Sequence, residues 1–207
     1  MIKHIIFDFG GVILDLGGEH TGIPQDLASI FDVPTDVVKP IWSENKSKLL
    51  TGKESPQDFL EFLKKELNVS IDISHALKEW ETLNVLTPDK IDWKLLQYIK
   101  ILRKTYQVHM LTDQIDVNNG PAQWKEEIED IFHTMFRSYT EGYHKPNISA
   151  YENVLNKIDA RGEECIFIDD SEQNIHAAES IGMKGILYRY GEVDALIAKL
   201  HAYNISV

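Results

Sequence analysis

Ile5-Ile6-Phe7-Asp8-Phe9-Gly10-Gly11, near the start of the 207-residue chain, runs three apolar residues into a carboxylate and then two glycines. That order predicts a short buried strand stopping in a tight loop. Similar apolar runs recur at Val108 to Leu111 before Thr112, at Cys165 to Ile168 before Asp169, and at Gly185 to Leu187. Between them lie sets with helical spacing: Trp93, Leu96, Ile99 and Leu102; Ile148, Tyr151, Leu155 and Ile158; Ile175, Ala178 and Ile181. Strands alternating with helices predict an α/β fold around a parallel sheet with right-handed crossovers.

Residues 17–87 interrupt the alternation and read as helices alone. One helix is expected from about Thr35, with Val37, Val38, Ile41 and Trp42 on its apolar side. Ser55-Pro56-Gln57-Asp58 marks another: Ser55 can cap it, Pro56 suits its first position, and Asp58 favours its positive end. A third is expected from about Ser74 to Asn84, and Thr87-Pro88-Asp89 is expected to cap the helix that follows. The expected organisation is a core of residues 1–16 and 88–207 with an all-helical insert at 17–87. No internal repeat or low-complexity segment is visible.

A hydrophobic fraction of 43% and a charged fraction of 26% are those of a globular chain and argue against disorder. The net charge of -12 repels polyphosphate backbones and anionic membrane surfaces, which excludes nucleic acid and membranes as expected partners. A small phosphorylated molecule remains compatible, since a lysine, a metal ion and helix N-termini can bind it locally. The lone Cys165 cannot form an intramolecular disulfide and reads as a buried strand thiol. The first apolar run is too short for a signal peptide, no later run approaches a membrane span, and the expected location is cytoplasmic.

In an open α/β sheet, polar residues just past the carboxyl ends of different strands converge on one crevice. Asp8, Thr112, Lys145 and Asp169-Asp170 hold such places. Asp8 can attack phosphorus and form an acyl phosphate, with the glycines letting a phosphate or metal close to the backbone. Read alone, it also fits an Asp that ends a strand and accepts loop N–H groups. Asp169 and Asp170 repel one another unless a cation intervenes, and Mg²⁺ suits hard oxygen ligands; read alone, they also fit a helix cap and a solvated acid. Thr112 can hold a phosphoryl oxygen, and Lys145 can set one positive charge beside Asp8. Each also fits an ordinary strand end or surface position.

Together, Phe7-Asp8-Phe9-Gly10-Gly11-Val12, Leu111-Thr112-Asp113, Lys145-Pro146 and Phe167-Ile168-Asp169-Asp170, with Asn174 and Ala177-Ala178, resemble in order the four motifs of the haloacid dehalogenase superfamily. The resemblance spans nearly the whole chain, with the helical insert where members with a small helical cap carry theirs. It implies a Rossmann-like, three-layer core and a phosphatase with Asp8 as nucleophile. It also implies Mg²⁺ held by Asp8, the Gly10 carbonyl and Asp170, with Asp169 assisting the metal or orienting Lys145 and Asn174 supporting that shell.

Among members the chain is similar to small sugar-phosphate phosphatases, whose first motif likewise has Gly two residues after the nucleophile. Most phosphatases of the family carry an acid-base Asp there, whose loss costs on the order of 10²- to 10⁴-fold in rate. Glu19 or His20, at the expected cap entrance, is a candidate replacement, and both are candidates for substrate contact with Trp42 and Lys46. Asp113, where relatives often have Asn, is expected to face away from the phosphate or to bind substrate hydroxyls, and His144 reads as a loop residue. The alternatives are a catalytically weak scaffold, for which Gly10 is the argument, and a 2-haloacid dehalogenase, which would not need the metal.

Overall fold

The computed structural model describes residues 1–16, 22–85, 87–119 and 125–206. Five strands, β1 (His4–Phe7), β2 (Gln107–Thr112), β3 (Thr134–Arg137), β4 (Cys165–Asp169) and β5 (Lys184–Leu187), form one sheet in the order β3-β2-β1-β4-β5, and every pairing is parallel. Phe7 stands level with Met110 on one side and Ile168 on the other, so β1 is central and Asp8 emerges between the carboxyl ends of β2 and β4.

The period of two sorts the strand side chains. Ile5, Phe7, Val108, Met110, Ile166 and Ile168 share one core, whereas Ile6, Leu111, Cys165 and Phe167 share the other. Both faces are covered, which is why the strands read as continuous apolar runs.

Helices α1 (Ile23–Phe31), α2 (Thr35–Leu50), α3 (Pro56–Leu67) and α4 (Ile73–Leu83) lie between β1 and β2 in the chain. Their hydrophobic core is separate from both faces of the sheet and includes Leu27, Phe31, Phe59 and Trp80. Ser55 caps α3, its Oγ accepting the Asp58 N–H at 3.1 Å. Trp42 packs edge-on to Phe59 at 6.0 Å and so belongs to this core.

Helix α5 (Trp93–Leu102) follows, then α6 (Lys125–Glu129), α7 (Ser138–Glu141), α8 (Ile148–Lys157), α9 (Glu172–Ser180) and α10 (Val193–Ala202). Thr87 does not cap α5, contrary to expectation: Pro88–Lys90 makes a single 3₁₀ turn, and Asp92 caps α5 by accepting the Leu95 N–H at 2.8 Å. The sheet core and the helical unit are joined by two adjacent segments, with a bridge between Leu14 and Ile91 and the Asp15 N–H donating to the Lys90 carbonyl at 2.7 Å.

Candidate active site

Parity along the strands builds the site. Asp8 and Asp169 continue the parity of Ile6 and Phe167, which lie on the α8 side of the sheet, and the loop before α8 brings Lys145 to the same side. Lys145 Nζ stands 2.7 Å from Asp8 Oδ1 and 2.8 Å from Asp169 Oδ2, with the Phe167 ring 5.8 Å away. All three side chains are buried. Burial disfavours the ammonium, but Asp8 and Asp169 outweigh it and hold Lys145 above its ordinary value. Burial pushes the Asp8 carboxyl up, to about 7, against the pull of Lys145 and with added repulsion from Asp169.

Asp169 is fully engaged. Its Oδ2 accepts from Lys145, and its Oδ1 accepts the Ser171 N–H and the Asn174 side-chain amide, both at 2.9 Å. Tyr151 steadies that corner: its hydroxyl donates to the Asn174 carbonyl at 3.0 Å, and its ring packs edge-on to Phe167 at 5.4 Å. This geometry suits orientation of Lys145 better than direct ligation by Asp169.

Asp170 is exposed and points toward the first loop. Gly11 makes that approach possible: its φ is +75°, and a Cβ there would lie 2.2 Å from Asp170 Oδ2. Carboxylate oxygens of Asp8, Asp169 and Asp170 come within 4.8 Å of one another. Three carboxylates against one ammonium leave two negative charges if all are ionised, so a hard divalent cation fits the donor set.

Thr112 ends β2, buried, at the same edge of the sheet. Asp113 bonds to the backbone, its Oδ1 accepting the Lys145 N–H at 3.0 Å, so it braces the loop that carries the lysine. Burial raises the Asp113 carboxyl, opposed by Lys145. His144 contacts the helical unit through Ser47, with 3.0 Å between its Nε2 and Ser47 Oγ. Glu19 and His20 lie outside the described residues. Gly10 is half-buried in the loop and contributes no side chain, and Lys46 is exposed on α2. A groove of about 530 Å³ opens beside Gly11 and Asp170, lined also by Asp15, Leu16, Arg189 and Tyr190. Its β5-side residues carried no signal in the sequence.

Residues 2–182 match the family of haloacid dehalogenase-like hydrolases. The chain is 29% identical over 190 residues to the sesquiterpene phosphatase of Aspergillus oryzae, covering 89% of this chain and 88% of that one. It is 25% identical over 193 residues to the D-ribitol-5-phosphate phosphatase of Bacteroides thetaiotaomicron, covering 89% and 90%. In fold it resembles a haloacid dehalogenase family enzyme from Bacteroides thetaiotaomicron solved as a magnesium complex, with a TM-score of 0.75 at 20% identity over 96% of this chain and 98% of that one. With a family match that runs through all four motifs and most of the chain, this protein belongs to the haloacid dehalogenase-like hydrolases.

Proposed function

We propose that the protein is a Mg²⁺-dependent phosphatase that hydrolyses a small phosphorylated metabolite, with a sugar phosphate the leading class, through an aspartyl phosphate on Asp8. The observation that carries the reading is the buried Asp8-Lys145-Asp169 chain at the carboxyl end of the central strand. Phosphatases among the relatives support the reaction class, and D-ribitol 5-phosphate in one relative's name supports a phosphorylated polyol or sugar. No helix among the described residues is long and apolar enough to cross a membrane.

In this reading Asp8 attacks phosphorus, the ester P–O bond breaks, and the alcohol leaves. Water then attacks the acyl phosphate at phosphorus, which releases inorganic phosphate and restores the carboxylate. Lys145 neutralises charge on the transferring phosphoryl group, while Asp169, held by Ser171 and Asn174, keeps the ammonium in place. Thr112 donates to a phosphoryl oxygen. Asp113 holds the Lys145 backbone. Asp8, the Gly10 carbonyl and Asp170 would hold Mg²⁺, which supplies charge neutralisation at the phosphate when bound. Without a carboxyl at Gly10, proton delivery to the alcohol falls to water or to Glu19 or His20.

A panel of sugar and polyol phosphates, assayed with Mg²⁺ and with EDTA for wild type and Asp8→Asn, tests the reading. Metal-dependent phosphate release that Asp8→Asn abolishes is expected. Equal release by the two proteins, or none by either, would reject it.

A further inference from the structure

Strands β2 and β3 pair as far as Thr112 beside Arg137. Past that pair the ladder ends, and the side chain of Ser138, the first residue of α7, takes over from it. Ser138 Oγ accepts the Gln114 N–H at 2.9 Å, and its hydroxyl donates to the Gln114 carbonyl at 3.1 Å. One hydroxyl thus engages both backbone groups of one residue, using its proton and one of its lone pairs. Ser138 is 1% exposed, so water competes little for these bonds.

The placement matters because of what lies on either side of Gln114. On one side, Asp113 Oδ1 accepts the Lys145 N–H at 3.0 Å. On the other, Ile115 and Val117 are buried in the core of the helical unit with Leu27, Phe59 and Trp80. Gln114 is therefore where the loop passes from the sheet core to the helical unit, and Ser138 fixes it on the sheet side. The Lys145 carbonyl is held differently. It can only accept, so His144 Nδ1 donates to it, at 2.7 Å, and that bond travels with the loop before α8. The Asp113 bond instead ties the Lys145 backbone to the end of β2.

Resting on the phosphatase reading, we propose that Ser138 is a positioning residue: by clamping Gln114 it fixes Asp113, and through Asp113 it sets Lys145 against Asp8 and Thr112 for phosphoryl transfer. The transition state depends on that spacing more than substrate binding does, since Lys145 and Thr112 stabilise charge that develops as the P–O bond breaks. A misplacement of about 1 Å costs on the order of 10²-fold in rate, and loss of the clamp should cost about tenfold.

The first test is kinetic. With p-nitrophenyl phosphate and Mg²⁺, Ser138→Ala should lower kcat about tenfold and leave KM within about threefold. Asp113→Ala should lower kcat at least as much, and adding Ser138→Ala to it should cost less than about twofold more, because Ser138 acts through Asp113. A Ser138→Ala protein with kcat within about twofold of wild type would overturn the proposal, as would effects of the two substitutions that multiply.

The second test needs no turnover. The Lys145 amide proton, bonded to a carboxylate, should resonate downfield in a proton–nitrogen correlation spectrum. Asp113→Ala should move it upfield, and Ser138→Ala should move it part of the way in the same direction. Ser138→Cys, of similar size with a weaker donor, should fall between wild type and Ser138→Ala in both readouts, and it carries the test if the alanine variant does not fold. A Lys145 amide unmoved by substitution of Ser138 would overturn the proposal. If wild type releases no phosphate, the phosphatase reading fails, and the amide still decides whether Ser138 holds Lys145 through Asp113.

Discussion

Lys145→Met removes the cation that stands between Asp8 and Asp169 and puts an unbranched apolar chain in its place. The lysine side chain is 3% exposed, and those of Asp8 and Asp169 are 10% and 0% exposed. Each charge-assisted contact, at 2.7 and 2.8 Å, contributes about 1.5–3 kcal/mol, so the pair contributes about 3–6 kcal/mol. Breaking a buried ion pair by deleting one partner costs about 3–5 kcal/mol, which agrees. A domain of this size has about 5–15 kcal/mol in all, so the variant should fold and be much weakened. Urea unfolding in EDTA should show a loss of about 3–5 kcal/mol, and thermal unfolding a drop of roughly 6–20 °C. Mg²⁺ should stabilise Lys145→Met more than wild type, because the variant's site carries one more uncompensated negative charge. Adding Asp8→Asn should return part of the loss. A Lys145→Met protein within about 1 kcal/mol of wild type in EDTA would show that Lys145 does not hold the two carboxylates together.

Three further perturbations probe other parts of the site and fold. Gly11→Ala forces a Cβ into Asp170 at a φ of +75°, and should weaken Mg²⁺ binding about 10- to 100-fold by calorimetry. At Gly10→Asp the described atom nearest the new Cβ is Leu16 Cδ1 at 3.3 Å, the end of a side chain that can shift, so the site can accept it. It should raise kcat at least about tenfold for alkyl phosphates and much less for p-nitrophenyl phosphate, whose leaving group needs no proton. His109 is buried beside His4, with 3.1 Å between their ring nitrogens, and burial pushes it down to about 4. Because its folded value lies below the unfolded one, its stabilisation is complete above about pH 6.5 and fades as pH falls toward 4, by about 3 kcal/mol. His109→Leu should flatten the urea-stability profile across that window.

What could be read from the sequence was local: a carboxylate straight after an apolar run. Asp8 and Asp169-Asp170 stood out because strand parity and register need nothing beyond neighbouring residues to put them at one edge. The edge strand β3 gave no such signal, since only Phe136 of Thr134–Arg137 is buried and the polar ends hide the alternation. Helix α1 is short and opens at Gly22, with no side-chain cap to announce it. Thr87 looked like a cap because Pro88 follows it, but the chain turns once more before Asp92 takes that role. Asp113 was legible as a departure and not as a brace, because its partner is a backbone amide 32 residues away. Ile115 and Val117 left a trace, two apolar residues in a polar loop, that makes sense only once α1–α4 have a core to receive them.

In the proposed reaction Asp8 carries the phosphoryl group during turnover. This is tested most directly by acid-quenching the protein during Mg²⁺-dependent hydrolysis, reducing the trapped acyl phosphate with borohydride, and mapping the peptide that contains residue 8. Homoserine is expected at position 8, and aspartate when substrate is withheld. Undiminished turnover with Asp8 recovered unmodified would contradict it.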